Sequence, residues 1–255
     1  MQLEIAKLSK KGGRKVNEDA CEYWSFSNLS CYILSDGLGG HFGGDVASKL
    51  VVSSTREEFK KHPECNTKAI ESLLHVGDGA IAREQSKHKQ LKDMRATAVI
   101  LVVDSARHLA TWGHVGDSRL YCFRKGRIIS QTRDHSISQS MVEAGYLKQE
   151  EIRSSPTRNQ LYAALGNGEH FEADVLPAEF PIIDGDVFLM CSDGLWEYVE
   201  ENEMEWMLSS SSFASEWLSA LEKQVLMRGH QRQDNYSAIA VWCKDSDDRT
   251  LMPGY

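Results

Sequence analysis

The fold is decided around residues 31–45, which read CYILSDGLGGHFGGD. An apolar run stops there at Asp36 and passes into a glycine-rich segment, so that a carboxylate stands beside bare backbone. A short apolar run bounded by glycine predicts a buried β-strand. Asp36 itself can be a turn residue, part of a phosphate cradle or a metal ligand, and the rest of the chain decides among these roles.

Similar β-rich runs recur along the chain. They cover residues 3–8, 21–26, 31–35, 97–103, 108–115, 119–124, 127–131, 186–192 and 236–243. Several are joined by short polar turns, such as residues 27–30, which predicts antiparallel hairpins. Apolar residues at helical spacing begin at Val46 and Ile70 and run from Ala214 to Val225, which predicts three helices that face a core. Strands grouped with strands favour two packed sheets covered by helices over a parallel βαβ fold.

Length and charge narrow the class of protein. The 255 residues fit one large domain. A net charge of -8 argues against a partner such as nucleic acid or an anionic membrane, because clustered Lys and Arg hold phosphate backbones. The start of the chain has no apolar core of signal-peptide length, and the longest apolar run, residues 98–103, cannot span a bilayer. We therefore expect a soluble, cytoplasmic protein whose six cysteines, none in a C-x-x-C pair, are buried free thiols.

Acidic residues gather where the predicted strands end or begin. Three runs end in aspartate and two begin beside acidic groups: Asp36, Asp117 and Asp193 at the ends, and Glu18, Asp19 and Asp234 at the beginnings. In an antiparallel hairpin the end of one strand lies beside the start of the next, so Asp19 and Asp36 should meet. Any one of these residues alone is best explained as a turn residue. Together they predict an acidic edge of the sheets.

Such an edge requires cations. Two carboxylates about 4 Å apart repel by about 4 kcal/mol at an effective dielectric constant near 20. Oxygen ligands favour Mg²⁺ or Mn²⁺ over zinc, and the spacing of His41, His114 and His135 matches no zinc motif, which leaves these histidines surface or supporting roles. Two ions can activate a water for attack on phosphorus. Arg14, five residues before Asp19, could hold two phosphate oxygens at once.

At this point the chain resembles a known family, the metal-dependent PPM protein phosphatases, also called protein phosphatase 2C, and within it the compact bacterial branch. Six motifs follow the family's order: residues 14–20 (RKVNEDA), 35–40 (SDGLGG), 115–119 (VGDSR), 132–136 (TRDHS), 191–195 (CSDGL) and 233–235 (QDN). The match extends from about residue 5 to residue 243. One such motif would be weak evidence, whereas six in order are specific.

The resemblance implies an α+β fold, namely a four-layer α/β/β/α sandwich whose two central antiparallel sheets are flanked by helix pairs. It implies one phosphatase domain over residues 1–244, a flap at about residues 136–168 beside the active site, and a short tail over residues 245–255. The implied activity is hydrolysis of phosphoserine and phosphothreonine in proteins, dependent on Mn²⁺ or Mg²⁺. The implied partners are phosphorylated proteins and a Ser/Thr kinase that the enzyme opposes, and we expect a monomer.

The resemblance also implies roles for particular residues. Asp36, Asp193 and Asp234 resemble the ligands of a first ion. Asp36, the carbonyl of Gly37 and the pair Glu18 and Asp19 resemble those of a second ion, with Asp19 the direct contact. Asp117 with Asp193 resembles a third, weaker site, and Arg14 resembles the phosphate-binding arginine. Arg14, Asp36 and Asp193 are thus the candidate catalytic residues.

Two positions depart from the family pattern. Leu38 stands where bacterial relatives usually have Met and animal relatives have a His considered as the general acid, so the proton donor for the leaving group is unassigned, with water or His41 as candidates. Residues 95–97 read RAT where many relatives have GTT, which removes no ligand. Residues 196–198, WEY, resemble members tied to type VI secretion control.

Three other functions compete with this one. A cysteine phosphatase fits the C-x5-R spacing of Cys243 and Arg249, but the acidic residues between them have no glycine and would raise the thiol pKa, which excludes it. A two-metal nuclease is disfavoured by the acidic balance. A non-catalytic phosphoprotein-binding module on the same fold would be marked by a lost metal ligand, and none is missing.

Overall fold

We describe a computed structural model of the chain over residues 1–39, 43–168, 172–231 and 233–245. Within these residues the chain forms twelve strands and six α-helices. The strands are β1 (Gln2–Lys10), β2 (Asp19–Phe26), β3 (Leu29–Leu38), β4 (Arg95–Ala96), β5 (Ala98–Asp104), β6 (Leu109–Val115), β7 (Arg119–Arg124), β8 (Arg127–Gln131), β9 (Asp174–Val175), β10 (Phe180–Pro181), β11 (Val187–Cys191) and β12 (Tyr236–Lys244). The helices are α1 (Gly44–Lys61), α2 (Thr67–Lys87), α3 (Ile137–Glu143), α4 (Asp193–Trp196), α5 (Glu201–Ser209) and α6 (Ala214–Arg228).

The strands form two antiparallel sheets. A five-stranded sheet has the order β1-β12-β11-β7-β8, and a seven-stranded sheet has the order β10-β6-β5-β3-β2 with β4 beside β3 and β9 beside β6. The inner faces of both sheets share one apolar layer, which includes Tyr32, Leu101 and Phe188. A packed pair of sheets is therefore the centre of the molecule.

Helices cover both outer faces. Helices α1 and α2 bury Phe59 and Ile70 against the seven-stranded sheet. Helices α5 and α6 bury Met204 and Trp217 against the five-stranded sheet. The predicted four-layer α+β sandwich is confirmed.

Sequence periodicity predicted the three longest helices but not α4 or α5. The predicted helices are α1, α2 and α6, and α6 ends before Gly229. Helix α5 has only Met204, Met207 and Leu208 on its buried side, and its clearest signal is a capping box in which Glu200 and Glu203 satisfy each other's backbone N–H groups. The nine residues of α5 and the four of α4 are too short a pattern for a periodicity argument to detect.

The segment of residues 136–168 contacts the sandwich in its middle and near its end. Ser136 caps α3 by accepting a hydrogen bond from the Gln139 N–H at 3.2 Å. Leu165 pairs with Ala96 of β4, and Ile152 is buried against the five-stranded sheet and its helices. The segment is therefore packed onto both halves of the sandwich, and its action as a flap stays a prediction.

The predicted buried thiols are confirmed, since all six cysteines are buried and free. Burial raises the pKa of the Cys243 thiol to about 12, so this side chain is a poor nucleophile at neutral pH. Arg249 and the rest of the predicted tail, residues 246–255, lie outside the described residues. No helix in the described ranges has both the length and the apolar character needed to cross a membrane.

Candidate metal centre and active site

The hairpin of β2 and β3 brings the first two aspartates together, as predicted. Asp19 and Asp36 are direct cross-strand partners. One part of the prediction was wrong, because Asp36 and Gly37 lie inside β3 rather than after it. The strand continues past Ser35 because Gly37 and Leu38 pair with β4, a short strand that the sequence pattern did not indicate.

Thr97 fixes the position of Asp36. The N–H of Thr97 donates to the Asp36 carbonyl at 2.8 Å, and the N–H of Asp36 donates to Thr97 Oγ1 at 3.0 Å. Thr97 Oγ1 is also hydrogen-bonded to Ser118 Oγ at 2.7 Å. Thr97 was not identified as a site residue from the sequence, although the threonine of the RAT triplet was a signal that could have found it.

Gly37 has no room for a side chain. A Cβ at this position would lie 2.0 Å from the Gly44 carbonyl oxygen and 2.8 Å from that of Glu18. The Gly37 N–H donates to the Glu18 carbonyl at 3.1 Å, and the Glu18 carboxylate faces Gly44 at the start of α1. Bare backbone therefore lets β3, the loop before β2 and the helix meet at one point.

Asp193 is the first residue of α4 rather than the last of a strand, and it is 8% exposed. The preceding Ser192 joins it to the hairpin, because Ser192 Oγ donates to Asp19 Oδ2 at 2.8 Å. The N–H of Ser237 in β12 donates to Ser192 Oγ at 3.0 Å. One serine thus links three chain segments at the acidic edge.

Asp117 lies in the turn between β6 and β7 and is 4% exposed. The indole N–H of Trp196 donates to its carbonyl at 2.9 Å, and the Arg119 guanidinium lies 3.6 Å from the centre of the Trp196 ring. Arg119 also forms a bidentate ion pair with Asp134, with both N–O distances 2.7 Å and both side chains 2% exposed. The Asp117 turn is therefore held by a buried network that sequence spacing could not reveal.

Asp234 and Arg14 meet at the outer side of the edge. Arg14 Nη2 lies 2.6 Å from Asp234 Oδ2, and the arginine side chain is 54% exposed. Asn235 ties the N-terminal loop to this place, since its Nδ2 donates to the carbonyls of Lys11 and Val16 and its Oδ1 accepts from the Glu18 N–H. The sequence motif included Asn235 but gave it no role.

The electrostatics of the edge favour cations. Burial raises the carboxyl pKa of Asp36 and Asp193 well above the usual value, and neighbouring carboxylates raise it further. Burial raises the pKa of Asp19 to about 6 and that of Asp117 to about 7, with a further rise from Asp234 and Asp134 respectively. The Glu18 pKa is also raised, by burial and then by Asp45. Each shift reports carboxylate charge that lacks compensation in the protein alone.

Two buried oxygens at this edge, Asp19 Oδ1 and Asp193 Oδ1, have no hydrogen-bond partner among the residues that the structure describes. Buried polar atoms without partners are rare, and oxygen donors of this kind suit Mg²⁺ or Mn²⁺. The residues present therefore fit a divalent cation. The structure places all seven predicted ligand residues at or beside this edge: Glu18, Asp19, Asp36, Gly37, Asp117, Asp193 and Asp234. Their individual roles as ligands stay predictions.

Histidines form a separate group. Within the described ranges, the one group of three acidic, histidine or cysteine side chains whose ligand atoms all lie within 4.8 Å of one another is His114, His135 and Asp174. Among the described residues, no three ligand atoms of the acidic edge lie that close together, a spacing that suits ions that keep several water ligands. Both histidines are buried, so a surface role for them was wrong, and His41 lies outside the described residues.

The hydrogen bonds of these histidines argue against a metal ligand role. His114 Nε2 donates to the Arg133 carbonyl at 2.6 Å, and burial lowers its pKa to about 4, so the ring is neutral. His135 Nδ1 accepts from the Gly116 N–H at 3.3 Å, so the ring proton is on Nε2, 3.4 Å from Asp174 Oδ2. The His135 nitrogen that faces the group is therefore a donor, and the pair supports the loop before α3.

Comparison with known proteins places the chain in a family. A family model described as Protein phosphatase 2C matches residues 9–234. The serine/threonine phosphatase stp of Listeria welshimeri is 31% identical over 195 residues, which are 74% of this chain and 75% of the relative.

Solved structures agree with this match. The catalytic domain of the serine/threonine protein phosphatase PstP, in complex with two manganese ions, has a TM-score of 0.81 at 27% identity, over 95% of this chain and 99% of that one. PppA of Pseudomonas aeruginosa, described as a key regulatory component of T6SS, has a TM-score of 0.74 at 29% identity, over 95% and 98% of the two chains. With its acidic edge, its sandwich of two sheets and its ordered motifs, the chain belongs to the protein phosphatase 2C family and is a metal-dependent protein serine/threonine phosphatase.

Proposed function

We propose that this phosphatase hydrolyses phosphoserine and phosphothreonine in proteins at the acidic edge, with two divalent cations in the core site. Asp36, Asp193 and Asp234 would hold one ion, and Asp19, Asp36, the Gly37 carbonyl and Glu18 the other. Asp117 with Asp193 would offer a third, weaker position. The observation that carries the proposal is the set of buried carboxylates with raised pKa values, two of which have an oxygen that no group in the described ranges hydrogen-bonds.

The chain's own residues divide the work. When bound, the cations supply an activated water as nucleophile and neutralise charge on the phosphoryl group. Arg14 is placed to bind the phosphate, because a single N–H of its guanidinium is committed to Asp234 and most of the side chain faces solvent. Ser192 and Thr97 keep Asp19 and Asp36 in register. Leu38 carries no titratable proton, so we assign protonation of the leaving oxygen to solvent water.

The substrates we propose are phosphoproteins made by a Ser/Thr protein kinase, which the phosphatase opposes. This rests on the reaction class, since a phosphoserine or phosphothreonine phosphatase consumes the product of such a kinase. A role in type VI secretion control is supported by the WEY sequence of residues 196–198 and by the likeness to PppA.

The test is hydrolysis of a phosphothreonine peptide by the purified chain with Mn²⁺, with Mg²⁺ and with a chelator. We expect turnover with either ion, loss in chelator and loss in Asp193→Asn. Asp93→Asn is the matched control, because the Asp93 side chain is 79% exposed and its ion pair is with the neighbouring Lys92. Unchanged activity in chelator or in Asp193→Asn would refute the metal mechanism. Tight binding of the phosphopeptide with no turnover under any metal condition would favour the binding module instead.

A further inference from the structure

A groove leads away from the acidic edge along β2. It encloses about 830 Å³, and Asp19 lies at one end of it. Its floor is residues 19–24 of β2, one wall is β1 with Lys7 and Ser9, and the other wall is α1 with Lys49, Val52 and Arg56. The groove is therefore continuous with the proposed catalytic site through Asp19.

The floor is an open sheet edge. Strand β2 is the last strand of the seven-stranded sheet, and β3 is its one hydrogen-bonded neighbour within the described chain. The hydrogen bond from the Gly37 N–H to the Glu18 carbonyl shows which residues of β2 direct their backbone N–H and C=O groups toward β3. Backbone groups at even-numbered residues of β2 then face β3, and those of Cys21, Tyr23 and Ser25 face outward.

A side-chain contact supports this phase. The Lys7 ammonium donates to the Cys21 carbonyl at 3.3 Å, which requires that carbonyl to face away from β3. Lys7 is also paired with Glu22 at 2.7 Å. An edge strand with outward N–H and C=O groups is a template for one more strand, and charged side chains beside it are the usual protection against chance pairing.

The wall of α1 offers one cation for a ligand. Lys49 is paired with Asp45 at 2.8 Å. Arg56 is exposed and lies 5.9 Å from the centre of the Trp24 ring, and none of the ion pairs recorded for the described residues involves it. Because Glu22 and Glu57 also line the groove, the groove as a whole is not basic, and Arg56 is the specific feature.

Resting on the proposed function, we propose that the β2 edge binds the substrate itself: the segment beside the phosphorylated residue adds as an extended strand along β2. From Asp19 to Trp24 is five residues, or about 17 Å of strand. An acidic side chain about five residues from the phosphorylated residue would then reach Arg56. Backbone hydrogen bonds would give affinity for many peptide sequences, and Arg56 would give the preference for an acidic side chain at that distance.

The test is a series of phosphothreonine peptides in which each backbone amide in turn is N-methylated. An added strand predicts that methylation at every second residue on one side of the phosphothreonine lowers kcat/KM about fivefold to tenfold, whereas the residues between are tolerant. A uniform effect, or none, would refute strand addition. Failure of the unmodified peptides to turn over would refute the proposed function as well, so the two failures are distinguishable.

A second measurement tests Arg56. The quantity to measure is the kcat/KM for a peptide with glutamate five residues from the phosphothreonine, divided by the kcat/KM for p-nitrophenyl phosphate. Arg56→Ala should lower this ratio about tenfold. Lys61→Ala, at an exposed position near the end of the same helix and outside the groove, should leave the ratio unchanged. An unchanged ratio in Arg56→Ala, with glutamate on either side of the phosphothreonine, would overturn the assignment of Arg56.

Discussion

Asp19→Asn should stabilise the metal-free protein, although it removes a proposed ligand. Asp19 is 6% exposed, and burial, with Asp234 nearby, raises its pKa from 3.8 to about 6 against opposing hydrogen bonds from Ser237 and Ser192. The folded state therefore binds this proton more tightly than the unfolded state does. The stability that the group contributes is complete below about pH 4 and is lost as the pH rises through the folded pKa near 6.

The size of the effect follows from the shift. A rise of about two pKa units lowers the free energy of unfolding by about 3 kcal/mol at pH 8, where Asp19 is ionised in both states. At pH 4 the loss is less than about 1 kcal/mol, because the folded state keeps the proton. Asparagine has nearly the same shape without the charge, and its amide nitrogen could donate to the carboxylate of Asp36, its cross-strand partner. The variant should therefore recover most of the lost free energy at pH 8.

Urea denaturation in chelator measures this directly. With an m-value of about 3 kcal/mol/M, the midpoint of Asp19→Asn should lie about 1 M above that of the parent at pH 8 and close to it at pH 4. Saturating Mn²⁺ should reverse the order, because the parent gains stability from binding and the variant gains less. Asp93→Asn, at an exposed position, is the control. A midpoint that falls at pH 8, or rises equally at both pH values, would refute the argument.

Three further substitutions test separate parts of the account. Gly37→Ala should lower the free energy of unfolding by more than about 3 kcal/mol, because its Cβ would lie 2.0 Å from the Gly44 carbonyl oxygen. Gly79→Ala, within α2, should instead raise the free energy of unfolding by up to about 1 kcal/mol. Denaturant unfolding of both variants measures the difference. Arg14→Ala should lower kcat/KM for a phosphopeptide about tenfold to a hundredfold, because the charge-assisted hydrogen bonds to phosphate are lost. The free energy of unfolding should change little, because the ion pair of Arg14 with Asp234 is half-exposed. A kinetic assay measures the first effect and a denaturant melt the second. Arg119→Leu should lower the free energy of unfolding by about 3–5 kcal/mol, because it leaves the buried Asp134 carboxylate unpaired. The same melts should show that the Arg119→Leu/Asp134→Leu double variant is more stable than the single variant, and a double variant of equal or lower stability would contradict this.

The sequence predicted the parts of the molecule that depend on local pattern. The hairpin of β2 and β3 followed from two adjacent β-rich runs and a short turn, and it placed Asp19 opposite Asp36. The helices α1, α2 and α6 followed from long apolar stripes. The family followed from six motifs in order and is confirmed. In each case, the information lay within one stretch of sequence or in a fixed order of stretches.

The parts that were missed depend on contacts between distant residues. The extension of β3 through Gly37 needs β4, nearly sixty residues later, as its partner. Arg119, Trp196 and Asp134 meet only because β7, α4 and the loop after β8 pack together. The ring contact of His114 and His135, at 4.6 Å, likewise joins a strand to a loop. No spacing rule within the chain predicts such contacts before the sheet order is known.

The central claim is that the acidic edge is a divalent metal centre, and a calorimetric titration of Mn²⁺ into the metal-free chain tests it most directly. We predict two tight ions per chain, with proton release that grows as the pH falls through about 6, since the raised pKa of Asp19 means that binding must displace a proton. Asp36→Asn should abolish tight binding, because Asp36 is the residue proposed to contact both ions. Binding of the same stoichiometry and affinity in Asp36→Asn, or no tight binding by the parent chain, would contradict the account.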